Sequence, residues 1–138
     1  MGIPNYAVHL DNPAMQGFYE GLAAGELRIS IDPESGNWLW YPPEVIPGRP
    51  DAVVGWKKAS HAGAAYSFTT IIRSLLPGDH SAEVPFTVVL FEPDDAPGVR
   101  VPGVLVEADG VEPACGMRLE FVALPVGDHH IAGFRPAG

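Results

Sequence analysis

Residues 64–73 read AAYSFTTIIR, which is the most strand-prone stretch of the sequence. Tyr, Phe, Thr and Ile are concentrated in it, and these residues fit a pleated, half-buried strand. Other strand-like stretches lie on both sides of it: 52–59 (AVVGWKKA), 86–92 (FTVVLFE), 99–108 (VRVPGVLVEA), 117–124 (MRLEFVAL) and 129–134 (HHIAGF). Short strands at this spacing, separated by Gly and Pro, predict a mostly β protein with a closed or nearly closed Greek-key barrel.

The composition of two of these stretches predicts their position in the sheet. Residues 86–92 are apolar throughout, apart from Thr87 and Glu92, which predicts a central strand. The stretch 99–108 contains Pro102 and Gly103, which predict a bulge or a barrel corner at that point.

A helix is predicted in front of the barrel. Residues 11–13 (DNP) offer a side-chain cap followed by proline, as helix starts do. Phe18, Tyr19 and Leu22 follow at helical spacing, and Gly25 ends the segment. The helix therefore carries a bulky aromatic face.

A β-hairpin is predicted next. Residues 27–31 (LRISI) alternate as a half-buried strand does, and 32–37 (DPESGN) have turn composition. Residues 38–41 (WLWY) read as the second strand, with Trp38 and Trp40 on one face. That pair of indoles is open to two interpretations, an anchor for a partner protein or local core covering the barrel.

The chain has 138 residues, which is the size of one domain. We expect residues 1–51 to hold the helix and hairpin, and 52–138 to form a barrel of the OB type, as one compact folding unit. The single cysteine, Cys115, permits no disulfide within the chain, and the first residues lack the pattern of a signal peptide. These features favour a cytoplasmic location.

The charge of the chain disfavours two classes of partner. Acidic residues number 17 against 8 basic ones, for a net charge of -9. Nucleic acids and anionic membranes are bound largely through Lys and Arg, so we expect neither as a partner.

The motifs that mark self-contained catalytic sites are missing from the sequence. It has no phosphate-binding loop, no dinucleotide-binding glycine motif and no zinc-protease motif. We therefore expect no catalytic residue in this chain, no metal and no tightly bound cofactor. A stand-alone enzyme, with a loop Asp, Glu or His as general base, stays open as an alternative.

Four segments, in this order, resemble the acyl-CoA-associated OB-fold proteins of domain-of-unknown-function family 35 (DUF35). They are 18–27 (FYEGLAAGEL), 63–69 (GAAYSFT), 116–121 (GMRLEF) and 134–136 (FRP). Members of that family usually carry a zinc ribbon between helix and barrel, with the ligands in CxxC and CPxC. Here the four ligand positions hold Asp32, Ser35, Ile46 and Arg49, although the prolines around them remain.

This departure predicts a degenerate, metal-free hairpin. An alkyl side chain cannot bind zinc and a guanidinium would repel it, so the tetrahedral thiolate site cannot form. The aromatic residues of 38–41, or a partner subunit, would then supply the burial that stabilises the segment.

The resemblance implies a function. DUF35 proteins are partner subunits or fused domains of thiolase-like enzymes, including aldolases of steroid or lipid side-chain degradation, and the partner supplies the catalytic residues. The resemblance therefore implies a hetero-oligomer with a thiolase-like catalytic subunit. It also implies a supporting role at the acyl-CoA channel, with a coenzyme A thioester as shared substrate. A stand-alone acyl-CoA thioesterase or hydratase is the second possibility. An OB-type nucleic-acid binder, which the charge disfavours, is the third.

Candidate site residues follow from this implied role. The strongest strand and its end are expected near the acyl-CoA or the partner, through Tyr66, Ser67, Phe68 and Arg73. The partner interface is expected to use the aromatic residues in front of the barrel, namely Phe18, Tyr19, Leu22, Trp38 and Trp40.

Overall fold

The computed structural model describes residues 11–74, 78–79 and 81–137. The expected units 1–51 and 52–138 also include residues outside these ranges, and their boundary stays a prediction. Two helical elements precede the first strand, a 3-10 turn at Pro13–Met15 and helix α1 at Gln16–Ala23. The strands are β1 (Arg28–Ile31), β2 (Gly55–Lys58), β3 (Ala62–Ile71), β4 (Phe86–Pro93), β5 (Val101–Leu105), β6 (Arg118–Val126) and β7 (His129–Pro136), with a second 3-10 turn at Ser81–Glu83.

Five strands close into a barrel in the order β3-β4-β5-β7-β6. The β5–β7 pair is parallel, and the other four pairs are antiparallel. This arrangement confirms the predicted mostly β, OB-type Greek-key barrel preceded by one short helix. Inside the barrel, the rings of Phe91 and Phe134 stack at 4.4 Å.

Strand β4 lies between β3 and β5, so the prediction of a central strand at 86–92 is confirmed. Of the two alternatives at Pro102 and Gly103, the bulge is wrong, because β5 pairs with β4 in an unbroken register through both residues. A barrel corner there stays a prediction. A Cβ at Gly103 would lie 2.4 Å from the Phe134 ring, so glycine is needed there for close packing. The register shift instead falls in β3, between Ala65 and Ser67.

Helix formation follows the predicted signals. The side chain of Asn12 accepts a hydrogen bond from the N–H of Ala14 at 3.1 Å. The segment ends at Gly25, whose φ of 75° is the left-handed conformation that glycine adopts readily. Among the described residues no helix is long and apolar enough to cross a membrane.

The predicted hairpin is shorter than expected. Strand β1 pairs with β2 over four residues, and the second predicted strand contributes one bridge, between Ile31 and Trp38. The reason is that the two indoles bond to the barrel instead, Trp38 to the Asp95 carbonyl at 3.1 Å and Trp40 to the Arg100 carbonyl at 2.8 Å. Residues 52–59 were expected in the barrel, but β2 belongs to the small sheet with β1.

One continuous hydrophobic cluster joins the helix, the small sheet and the barrel. From the front of the chain it contains Phe18, Leu22 and Ile29, and Trp38 and Trp40 pack against it. The interpretation of these two indoles as local core is therefore supported for this chain.

Candidate functional site

The turn where a zinc ribbon would bind its metal is closed by an ion pair. The Arg49 guanidinium donates to the carboxylates of both Asp32 and Glu34. The other oxygen of the Asp32 carboxylate accepts the N–H of Glu34 at 2.9 Å. The hydrogen bond from Arg49, followed by that backbone N–H, lowers the pKa of Asp32 to about 2.

The remaining two positions of that turn also serve the protein fold. The Ile46 side chain is buried, and its carbonyl accepts the N–H of Arg49 at 2.9 Å. The Ser35 hydroxyl accepts the N–H of Asn37 at 3.2 Å. These four side chains do not fit zinc, and among the described residues no group of three or more His, Cys, Asp or Glu could hold a metal ion.

This ion pair makes the turn sensitive to strong acid. The pKa of Asp32 is lowered in the folded chain relative to an unfolded value near 3.8, so its contribution to stability is complete above pH 3.8. It is expected to be lost as the pH falls from 3.8 towards 2. Urea unfolding from pH 5 to pH 2 measures this, with Arg49→Met as the reference, because that variant lacks the guanidinium. A wild-type free energy of unfolding that falls no more steeply than that of Arg49→Met would contradict the assignment.

His61 joins the small sheet to the barrel. Its Nε2 accepts the N–H of Leu27 at 3.3 Å, and its ring lies 4.9 Å from that of Phe121. Burial, and then the nearby Lys58, lower the pKa of His61 below its usual 6.5. The neutral imidazole is therefore the form that stabilises this contact between the small sheet and the barrel.

Mild acid should weaken the contact that His61 makes between the small sheet and the barrel. Because the pKa of His61 is lowered on folding, its contribution is complete above pH 6.5 and is lost as the pH falls from 6.5 towards the folded value. Thermal unfolding from pH 7.5 to pH 5 should show a decline in Tm that the His61→Gln variant lacks. Parallel curves for the two proteins would show that His61 does not titrate in this way.

The structure spreads the residues expected near acyl-CoA along one strand. Tyr66, half exposed, is the extra residue at the register shift of β3, and Phe68 is 38% exposed. Ser67 is half-buried between them. Arg73 lies in a bend beyond the end of β3, seven residues from Tyr66, so the two are at most about 25 Å apart. Whether these residues bind acyl-CoA stays a prediction.

The cation that does meet Tyr66 is Arg100, whose guanidinium carbon lies 3.6 Å from the ring centroid. Arg100 precedes β5 and Tyr66 lies in β3, so the contact crosses β4. No local sequence signal marks this pair, because it depends on the register of three strands. The structure thus adds Arg100 to the aromatic surface of β3.

The residues expected at a partner interface differ in exposure. Phe18 and Leu22 are buried in the core of the chain, Leu22 to 2% exposure, so their burial gives the expected contact no support. Tyr19 is half-buried, and burial followed by the charge of Tyr41 raises its pKa. Large apolar side chains left exposed are Tyr41, Val45, Val53, Tyr66, Phe68, Ile72 and Val111.

An apolar groove of about 180 Å³ lies between α1 and the barrel. Its lining includes Phe18 and Tyr19 on the helix side and Val88, Val104 and Ile131 on the barrel side. The groove could hold a small apolar group, and Tyr19 and His130 are the titratable side chains in its lining.

Comparison with known proteins gives matches among solved structures. No family model and no curated protein matches the sequence. A chain described as "Ltp2-ChsH2(DUF35) aldolase" has a TM-score of 0.75 and 22% identity, covering 92% of this chain and 97% of that one. A DUF35 protein of unknown function from Sulfolobus solfataricus has a TM-score of 0.56 and 14% identity, covering 91% of this chain and 87% of that one. The chain therefore has the fold of the DUF35 proteins, as its sequence motifs indicated.

Proposed function

We propose that this chain is an accessory subunit, without catalytic residues of its own, of an aldolase- or thiolase-like enzyme that acts on acyl-CoA thioesters. The observation that carries the proposal is the likeness, over 92% of this chain, to a DUF35 chain described as part of an aldolase. The chain would act in the cytoplasm, in steroid or lipid side-chain degradation or a related reaction, with its thiolase-like partner supplying the reacting groups.

The chemistry of the described residues supports a role in which the partner, and not this chain, supplies the catalytic residues. Asp32, Asp94 and Glu26 have lowered pKa values because each carboxylate is paired with an arginine. His61 has a lowered pKa where it bonds to a backbone N–H. The bonds of Asp32, Asp94 and His61 join segments that are remote in sequence. Glu26 pairs with Arg28 two residues away. These are structural rather than catalytic uses of such shifts.

Two surfaces could meet the acyl-CoA at the partner's channel. The groove between α1 and the barrel offers apolar lining for an acyl group. The exposed aromatic rings of Tyr66 and Phe68, with the guanidinium of Arg100, offer stacking and a positive charge to the nucleotide end of coenzyme A.

Co-expression with thiolase-fold proteins of the same genome tests the proposal. One of them is expected to co-purify with this chain as a hetero-oligomer, with a mass by light scattering that requires both subunits. A chain that stays free of every thiolase-fold protein would contradict the proposal. Hydrolysis or hydration of an acyl-CoA panel by the isolated chain would favour the stand-alone enzyme instead.

A further inference from the structure

Within the part of the chain that the structure describes, one edge of the barrel is unpaired over several residues. Strand β3 pairs with β4 from Gly63 to Ile71, but its other neighbour, β6, pairs with Ala62, Gly63 and Ala64 alone. Within residues 11–74, 78–79 and 81–137, no further strand pairs with β3. Residues 66–71 therefore lie in a strand that is hydrogen-bonded along one side.

The register identifies which backbone groups face the open side. Leu90 of β4 lies opposite Pro102, which has no N–H, so this is the non-hydrogen-bonded kind of antiparallel pair. The backbone groups of Leu90 consequently face β3, where its partner is Ser67. Because these directions alternate along a strand, the N–H and C=O groups of Phe68 and Thr70 point away from β4.

Two neighbouring hydrogen bonds agree with that assignment. The N–H of Ala65 donates to the Met117 carbonyl at 3.0 Å, and the Ala65 carbonyl accepts the N–H of Gly116 at 2.7 Å. Ala65 thus uses the side of β3 that faces away from β4, just before the register shift. Beyond the shift, β3 and β4 pair without interruption from Ser67 to Ile71.

The open stretch has the composition of a strand that can pair. It reads YSFTTI, without a charge or a proline, and Ile72 beyond it is 79% exposed. Natural proteins usually protect a free edge with lysine, proline or an inward-pointing charge, since such an edge templates another strand. A register shift can also protect an edge, but the shift in β3 lies between Ala65 and Ser67, before the outward-facing residues.

We propose that the open edge of β3 binds an extended segment of the partner subunit, which adds to the barrel as a further strand. This inference rests on the proposed function, because it assigns the surface that meets the partner. The added segment would exchange hydrogen bonds with the N–H and C=O groups of Phe68 and Thr70. Its own residues would be uncharged and β-branched or aromatic, to match this edge.

A hetero-partner fits this edge better than a second copy of the chain does. Each copy carries a net charge of -9, so two copies repel one another. The edge beyond the register shift spans five residues, or about 17 Å, whereas a stable interface uses about 20–30 residues of each partner. A partner that also contacts other surfaces of the chain can make up the remaining area.

A matched pair of variants at Thr70 tests the proposal in the complex with the co-purified thiolase-fold protein. Thr70→Pro removes the outward N–H and places the ring where the added strand would lie, while leaving the β4 ladder intact. Thr70→Val keeps that N–H and loses the hydroxyl, which lies 2.9 Å from the Thr87 hydroxyl. We expect Thr70→Pro to raise the Kd for the partner at least about tenfold and Thr70→Val to change it less than about threefold.

Amide hydrogen exchange of the wild-type chain, read by NMR, provides a test without substitution. The Phe68 and Thr70 amides should exchange fast in the free chain and become protected in the complex. The Ser67, Thr69 and Ile71 amides should be protected in both, because they bond to β4. If Thr70→Pro does not fold, this measurement decides whether the β3 edge binds the partner.

The outcomes separate this inference from the proposed function. If the Phe68 and Thr70 amides stay unprotected in the complex, the β3 edge does not bind the partner, and the accessory role is unaffected. Thr70→Pro that folds and binds like wild type does the same. Self-association of the free chain that Thr70→Pro abolishes assigns the edge to a second copy and overturns the proposal. Failure of every thiolase-fold protein to bind overturns both.

Discussion

Replacing Trp40 with alanine is expected to lower the free energy of unfolding by about 3 kcal/mol. Its ring centroid lies 5.7 Å from that of Phe18, and its indole N–H donates to the Arg100 carbonyl at 2.8 Å. The substitution therefore removes ring packing and leaves a carbonyl without its donor, at the contact that ties the segment after β1 to the barrel. Urea unfolding followed by circular dichroism measures the change.

Two control variants separate the contributions of this side chain. Trp40→Phe keeps an aromatic ring and loses the hydrogen bond, which should cost about 1 kcal/mol. Tyr41→Ala alters the neighbouring ring, which is 63% exposed, and should stay within about 0.5 kcal/mol of wild type. If Trp40→Ala costs no more than Tyr41→Ala, the indole does not join the two parts of the chain.

Placing four cysteines in the turn closed by Arg49 is expected to create a metal-binding site. The variant combines Asp32→Cys, Ser35→Cys, Ile46→Cys and Arg49→Cys. The side chains of Asp32 and Arg49 already meet across the turn, and the backbone N–H of Arg49 bonds to Ile46, so the two ligand pairs face each other. One Zn²⁺ should bind per chain, and free zinc at 1,000 times its Kd should raise the free energy of unfolding by about 4 kcal/mol.

A three-cysteine variant that keeps Arg49 is the matched control. The guanidinium should prevent the fourth ligand bond and repel the cation, so its zinc affinity should fall by orders of magnitude. Thermal unfolding with zinc and with chelator compares the two variants. If zinc does not shift the Tm of the four-cysteine variant, this turn does not retain the geometry of a zinc ribbon.

Much of the barrel could be predicted from the sequence because its strands carry their own signals. The β-branched and aromatic residues of 64–73 and the apolar run at 86–92 mark β3 and β4 without reference to the rest of the chain. The cap at Asn12 and the glycine at Gly25 likewise mark the start and end of the helical segment. At these elements the local sequence was enough to predict the structure.

The N-terminal half was harder because its contacts are remote in sequence. Strand β1 pairs with β2, some two dozen residues later, while the indole of Trp40 bonds to a carbonyl 60 residues away. The periodicity of α1 predicts an apolar face at Phe18 and Leu22, but it does not tell whether the chain's own barrel or another subunit covers that face. The structure shows that the chain itself covers it.

The candidate site depends in the same way on register. The contact of Tyr66 with Arg100 and the open edge at Thr70 follow from how β3, β4 and β5 pair, which no local motif encodes. The ion pair of Asp32 with Arg49 could be suspected from the two lost ligand positions, but its closure with Glu34 could not.

Acyl-CoA turnover by the thiolase-fold partner, measured with and without this chain at equal partner concentration, tests the accessory role most directly. We expect the isolated chain to have no activity, and we expect its addition to restore or strongly raise turnover by the partner. Turnover by this chain alone, or partner activity that is the same in its absence, would contradict the accessory role.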